Sequence, residues 1–348
     1  MLLRVLFVMK IPYKKEIRVS NYTNLVVSLF VVGYPCQGES IVILFRDGEQ
    51  VVFSMVVDCF EYKGLNKTRE ILEKYNVKKL DAICWTHPHC DHSLGIDKLV
   101  VDYYKKETVF FLPSFYFGNL SEDLLNKDKE SEKTPEIFDS IHAFLESKKN
   151  MQENWWSISA NGDASKQYQM KLVSENMQES AKDVCLYFLT PLGYRTDQYA
   201  VRGKKFSKPN ELSVSFVLSI DDYDFFLGAD TENEHAEGIC DDVVKSFRWV
   251  KVPHHCSTGG RSIAERLGPK LDYSASTIFS KKGLPEEDIQ KIYAERSTLH
   301  MTQLVDSDSY DFGIVQYDYH FGSLDIGVDM TLYGNAGEFI YQKESDSI

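Results

Sequence analysis

At 348 residues, with 43% apolar and 13% aromatic side chains, the chain can bury a sizeable core, which excludes a disordered protein. Its 39 basic and 52 acidic residues leave a net charge of −13, which disfavours a broad electrostatic grip on nucleic acid and is compatible with a local basic groove. Seven Cys, an odd number without regular spacing, argue against a disulfide framework and for a reducing compartment, so a cytoplasmic location is expected.

The first ten residues, Met1–Lys10, are apolar but interrupted by Arg4, lack a small-residue cleavage site and read as a first strand. No run approaches the roughly 20 residues of a membrane span, so no membrane partner is expected. Leu25–Val32 and Ser40–Phe45 read as strands, Asp47-Gly48 as a hairpin turn, and Val51–Asp58 as the returning strand. Lys67–Tyr75 has an amphipathic helical pattern and Leu80–Trp85 reads as a buried strand, together a β-α-β unit.

That strand runs into Thr86-His87-Pro88-His89-Cys90-Asp91-His92, which holds three of the chain's nine His within six residues. Two imidazoles one residue apart at a strand end can converge on one cation, and Asp91-His92 on the following turn can address a second. Imidazole and carboxylate are the usual ligands of zinc and its neighbours.

Thr108–Pro113 is a further strand. Residues 114 to about 182 are charge-rich and carry no motif beyond a helical segment near Ile137–Leu145 and the Trp155-Trp156 pair; they read as an insertion, either a lid or a surface addition without a catalytic part. Val184–Pro191 returns to strand, and Arg202–Lys208 is the one concentrated basic run, in which Lys204, Lys205 and Lys208 are candidates to hold an anionic substrate. Asn210–Leu218 and Tyr223–Asp230 read as a second hairpin ending in Gly-Ala-Asp. A third strand, Phe247–Val252, leads into Pro253-His254-His255-Cys256-Ser257. Asp272–Phe279 (strand), Pro285–Arg296 (helix) and a β section from Gly313 complete the chain. His235 reads as a helix-surface residue, and His300 as a proton donor or substrate contact.

The order HxHxDH, NxxSxxF, GAD, VPHHxS resembles the metallo-β-lactamase superfamily, in the branch that includes the hydrolase domains of DNA-uptake competence proteins and the phosphorylcholine esterases. Gly33–Ser40 resembles that family's GQGDS-like turn, and Asp58 stands where the family carries an Asp that supports the ligands from behind. The resemblance covers roughly residues 25–115 and 184–320. It implies an α/β fold, an αββα sandwich of two mixed β-sheets, formed as one domain over 1–348 with the insertion.

By the same resemblance His87 and His89 bind one cation, Asp91 and His92 a second, Asp230 bridges, and His255 completes the second with His254 facing the substrate; the sequence leaves open which of the adjacent pair ligates. One place departs from the pattern. Where many relatives carry a third His for the first cation, this chain reads Leu189-Thr190-Pro191, which implies a weaker first site or a harder ion such as Mn²⁺. The activity implied is a hydrolase using one or two divalent ions, Zn²⁺ first and Mn²⁺ second, and a metal-activated hydroxide, with Asp91 and His254 as catalytic groups. The expected substrate is a phosphodiester, in a small molecule or nucleic acid. Lactone, thioester or amide hydrolysis is the alternative, as is a metal-stabilised non-catalytic subunit. A protein partner or homo-oligomer remains open.

Overall fold

The computed structural model describes residues 14–113, 132–147, 154–196, 209–304, 311–322 and 326–341. Met1–Lys10 and the basic run with Lys204, Lys205 and Lys208 lie outside the described residues. Strands are numbered along the chain. The first sheet contains β2 (Leu25–Gly33), β3 (Glu39–Asp47), β4 (Gln50–Val57), β5 (Ala82–Cys84), β6 (Val109–Pro113), β7 (Trp155–Ile158), β15 (Gly313–His320) and β16 (Gly327–Gly334). Their order is β16-β15-β2-β3-β4-β5-β6-β7, antiparallel up to β4 and parallel from β4 to β7.

The second sheet contains β1 (Lys15–Val19), β8 (Lys166–Ser174), β9 (Lys182–Phe188), β10 (Phe216–Ile220), β11 (Tyr223–Leu227), β12 (Phe247–Lys251), β13 (Tyr273–Ser276), β14 (Thr298–Met301) and β17 (Gly337–Glu338). The order is β1-β8-β9-β10-β11-β12-β13-β14-β17, with β11 to β14 parallel. The protein is therefore α/β with two mixed sheets.

Continuous apolar strands bury both faces, and that sets the layers. Leu29, Val31, Ile43 and Met55 from the first sheet meet Leu186, Phe216, Phe225 and Trp249 from the second in one cluster. Each fully buried side chain contributes roughly 1.5–3 kcal/mol. The opposite face of the first sheet, through Val32, Leu44 and Val56, packs on α1 (Lys67–Lys74), α3 (Ile96–Tyr103) and α4 (Thr134–Ser147). The opposite face of the second, through Phe226 and Val250, packs on α6 (Asp241–Ser246), α7 (Arg261–Arg266) and α8 (Glu287–Ala294). Helix α1 starts where the Asn66 side chain accepts from Arg69 N, and it buries Ile71 and Leu72.

Three expectations change. Part of the stretch read as an insertion is sheet: β7 pairs with β6, and β8 lies between β1 and β9. Asn210 is not in a strand but in a 3₁₀ turn, Pro209–Leu212, because Pro209 has no N–H for a ladder and the Asn210 amide bonds Glu232 Oε1 instead. His254 and His255 likewise sit on a turn, Pro253–Cys256, in left-handed backbone, so strand register does not choose between them.

Candidate metal centre

The parallel halves of both sheets end at one edge, where α/β sheets commonly bind ligands. From the first sheet, β4 runs into Asp58 and β5 into His87, with His89 capping α2 (Cys90–Ser93), which carries Asp91 and His92. From the second, β11 runs into Asp230 and β12 into His254 and His255. Asp58, Ala229, His254, His255 and Cys256 all have φ between 44° and 63°. They are five of the nine non-glycine residues with positive φ among the described residues. Left-handed backbone of this kind costs of order 1–3 kcal/mol per residue and persists where the surroundings hold it.

Two groups of atoms converge. His87 Nε2 lies 3.1 Å from His89 Nδ1 and 3.7 Å from Asp230 Oδ2. His92 Nε2 lies 3.2 Å from Asp230 Oδ1 and 3.6 Å from Asp91 Oδ2. His255 Nε2 lies 3.1 Å from Asp91 Oδ2 and 3.8 Å from Asp230 Oδ1. Tetrahedral ligands at 2.0–2.1 Å from a cation stand about 3.3 Å apart, and these spacings bracket that value. His87, His89 and Asp230 are a buried group able to hold a metal ion, and Glu39, His92 and His255 are another. Glu39 is the weakest of these as a ligand, because its Oε2 already holds the Lys251 ammonium at 2.6 Å. Asp91 and Asp230 are better placed to complete the second group.

Proton positions follow from the neighbours. Asp58 Oδ1 accepts from Thr86 N at 2.7 Å, and Asp58 Oδ2 accepts from the Thr86 hydroxyl at 2.6 Å. That hydroxyl has its proton committed, so at 3.0 Å it accepts from His87 Nδ1. His92 Nδ1 donates to Asp58 Oδ2 at 2.8 Å. Both rings thus turn Nε2 inward. His92 Nε2 and Asp230 Oδ1 are buried, and neither has a hydrogen-bond partner among the described residues. The two atoms face each other at 3.2 Å, where a cation or a shared proton would satisfy both.

The electrostatics agree. Burial opposes charge on His92, but Asp230, Asp91 and Asp58 outweigh it and push the imidazole well above its ordinary range. Burial also opposes ionisation of Asp230 and Asp91, and the surrounding histidines nonetheless hold both carboxyls below the usual range. His87 is pushed well below its ordinary range, by burial first and by His92 next. The pocket therefore demands positive charge, and it offers nitrogen and oxygen donors to a divalent ion.

His254 is the one site histidine that opens outward: its side chain is 21% exposed, with Nε2 3.8 Å from Asp230 Oδ2 and Nδ1 3.6 Å from Glu232 Oε1. With His89, Asp230 and Asn210 it lines a cleft of about 700 Å³, along with Glu232, Glu234, Glu286, Phe279 and Lys282. On the Asp91 side a second hollow of about 310 Å³ shares Phe279 and Lys282 and adds Lys133 and Lys281.

Two other histidines are not where the sequence suggested. His300, read as a proton donor or substrate contact, is fully buried on β14, with Nδ1 2.7 Å from the Tyr317 hydroxyl, and burial lowers it to about 4. His235, on the short α5 (Asn233–Ala236), is buried rather than on a helix surface, and its Nδ1 accepts from Leu192 N at 3.2 Å. Thr190 is buried close to Asp230, its hydroxyl donating to Ser213 O at 2.7 Å and touching Ser215 Oγ at 2.7 Å. Ser213 Oγ in turn accepts from Asp230 N at 2.9 Å. The place of a third histidine is thus filled by a hydroxyl network that holds the loop of Asp230.

Sequence reasoning missed Glu39, Lys251 and Thr277. A lone Lys inside the apolar run Trp249-Val250-Lys251-Val252 was a usable signal, since a buried ammonium needs a partner. No known protein family and no curated protein matches this chain.

Proposed function

We propose that this chain is a metal-dependent hydrolase of the metallo-β-lactamase fold, acting on a phosphodiester with two divalent cations, Zn²⁺ or Mn²⁺. The observation that carries the reading is Asp230, buried with Oδ2 toward His87 and Oδ1 toward His92 and His255. One carboxylate facing two donor sets is what a two-cation hydrolytic centre requires. Cations there would supply Lewis-acid charge and a water acidified to near neutrality.

The chain's own residues do the rest. Asp91, with Oδ2 toward the centre, orients the attacking water. His254, at the cleft wall, hands a proton to the departing alkoxide. Asn210 Nδ2, 3.3 Å from His254 Nε2 and 3.0 Å from Glu232 Oε1, holds that ring in place. Lys133, Lys281 and Lys282, with Glu132, line the hollow beside Asp91, where the lysines would meet an anionic ester. In the non-catalytic alternative, supported by Thr190 in place of a ligand, the same centre only stabilises the fold.

Metal analysis together with hydrolysis of bis-p-nitrophenyl phosphate, a lactone, a thioester and a β-lactam separates these readings. One to two equivalents of a first-row ion and turnover of the diester are expected. His87→Ala/His89→Ala should remove at least one equivalent. Metal without turnover of any ester above the Asp91→Ala background leaves the non-catalytic reading.

A further inference from the structure

We propose that Thr277, Glu39 and Lys251 form a buried relay that holds the hydrogen of His255 on Nδ1 and so reserves Nε2 for a cation; the inference rests on the metal-centre reading above. These are positioning residues, drawn from both sheets. Glu39 opens β3, Lys251 ends β12 and Thr277 follows β13. All three, and His255, are at most 1% exposed.

The proton count is closed. Lys251 Nζ lies 2.6 Å from Glu39 Oε2 and donates to Val252 O at 3.0 Å. Paired with an ammonium, Glu39 is a carboxylate and can only accept. Thr277 therefore spends its single O–H on Glu39 Oε2, at 2.5 Å. A hydroxyl whose proton is committed can only accept from a further neighbour. That neighbour is His255 Nδ1, at 2.9 Å, which must carry the hydrogen. The other tautomer would set two lone pairs against each other at Nδ1; in this one Nε2, 3.1 Å from Asp91 Oδ2, is left needing a cation or a second proton. Nε2 is left facing Asp91 and Asp230.

Asp58, Thr86 and His87 repeat the arrangement in the first sheet, carboxylate to threonine to Nδ1. Each half of the centre thus has a carboxylate–threonine device that aims one imidazole. The second half differs in that its carboxylate is buried with a lysine from the opposite sheet. The pair is consequently set by the packing of the sheets on each other before any cation arrives. The rival assignment makes Glu39 a direct ligand alongside His92 and His255, whose atoms lie within reach of one ion.

Thr277→Val removes the hydroxyl at near-constant shape and leaves the ion pair. Thr277→Ser restores the hydroxyl. Two quantities are read: stepwise Zn²⁺ affinity by chelator competition, and the ¹⁵N shifts of His255 in metal-free and Zn²⁺-loaded protein. Expected for Thr277→Val is a loss of roughly 10–100-fold in affinity at one step only, with loss of the Nδ1–H signature. Thr277→Ser should recover both. If Thr277→Val fails to fold, Glu39→Leu/Lys251→Met removes the ion pair together with the acceptor of the Thr277 hydroxyl, and it should show the same tautomer change with its melting temperature preserved. Wild-type tautomer and affinity in whichever variant folds would overturn the relay, as would loss of Zn²⁺ in Glu39→Gln with full retention in Thr277→Val. A wild type that takes up no Zn²⁺, yet shows the tautomer change in Thr277→Val, keeps the relay and rejects the metal centre.

Discussion

Asp91 and His254 stand at different depths of one site, and depth decides what each can do. Asp91 is 3% exposed and faces the donor atoms of His92 and His255. His254 is 21% exposed and meets the donor set through Asp230 Oδ2 at 3.8 Å, with Asn210 and Glu232 closer to its ring. Asp91→Ala should therefore lower both metal content and turnover. His254→Ala should lower kcat by about 10²–10⁴-fold with metal content unchanged, the usual contribution of one positioned acid. Loss of metal in His254→Ala, by elemental analysis, would move that residue into the ligand set. The acid limb of stability offers a second test, away from the centre. His235 is lowered to about 4 by burial first, with Arg195 adding to it, and His300 is lowered to about 4 by burial. In the unfolded chain both titrate near 6.5. As pH falls from there toward 4 the unfolded state takes up protons that the folded state refuses, so stability falls. For His235 the full loss is about 3 kcal/mol. Urea melts of His235→Gln should show a shallower decline over this window; a slope equal to wild type would contradict the assignment.

Between residue and sheet, the loop joining β2 to β3 aims Glu39. Gly38 there has φ +106°, and a Cβ on it would meet Phe60 Cδ1 at 2.1 Å. Phe60 is 2% exposed and packs on Tyr34, ring centroids 5.4 Å apart, so it cannot yield cheaply. Gly38→Ala should cost about 1–2 kcal/mol in backbone conformation and a further 1–3 kcal/mol in overlap. Glu39 moves with the loop, so Zn²⁺ affinity should fall too. A melting temperature within error of wild type would show that the loop adapts. The Glu39–Lys251 pair can be probed at the same level. Removing one partner of a buried pair typically costs about 3–5 kcal/mol, so Lys251→Met alone should destabilise far more than Glu39→Gln/Lys251→Met. Chemical denaturation of the two variants decides it.

For the whole molecule, the candidate ligands come from both sheets, so a bound cation ties the two layers at their common edge. A ligand that binds only the folded form stabilises it by about 4 kcal/mol when present at a thousand times its Kd. Chelation should therefore lower the melting temperature by several degrees, and Zn²⁺ or Mn²⁺ should restore it. Stripped protein that melts with the loaded form would mean the sheets need no cation to hold them.

How much of this was legible beforehand depended on where each partner lies along the chain. His87, His89, Asp91 and His92 fall within six residues, so their density is a local fact that no folding is needed to see. The runs Leu25–Val32 and Ser40–Phe45 likewise declare buried strands by composition, and β2 and β3 contain them. The strict alternation of β8, with Tyr168, Met170 and Leu172 inward, was equally readable and was overlooked in a charge-rich stretch.

What only the tertiary structure decided are the long-range meetings. Thr277 and Glu39 are 238 residues apart, and Asp91 and His255 are 164 apart. His300 and His235 went to the interior, because period alone does not say which layer covers a strand or helix face. The adjacent pair His254-His255 could not be told apart while read as the end of a strand. The left-handed turn at Pro253–Cys256 sends His255 inward and leaves His254 in the cleft. Sequence thus determined which chemical groups are available and which segments are buried, because both are local properties of side chains. Which of those groups face one another was decided by the packing of two sheets, since that sets the distances on which ligation and proton position depend.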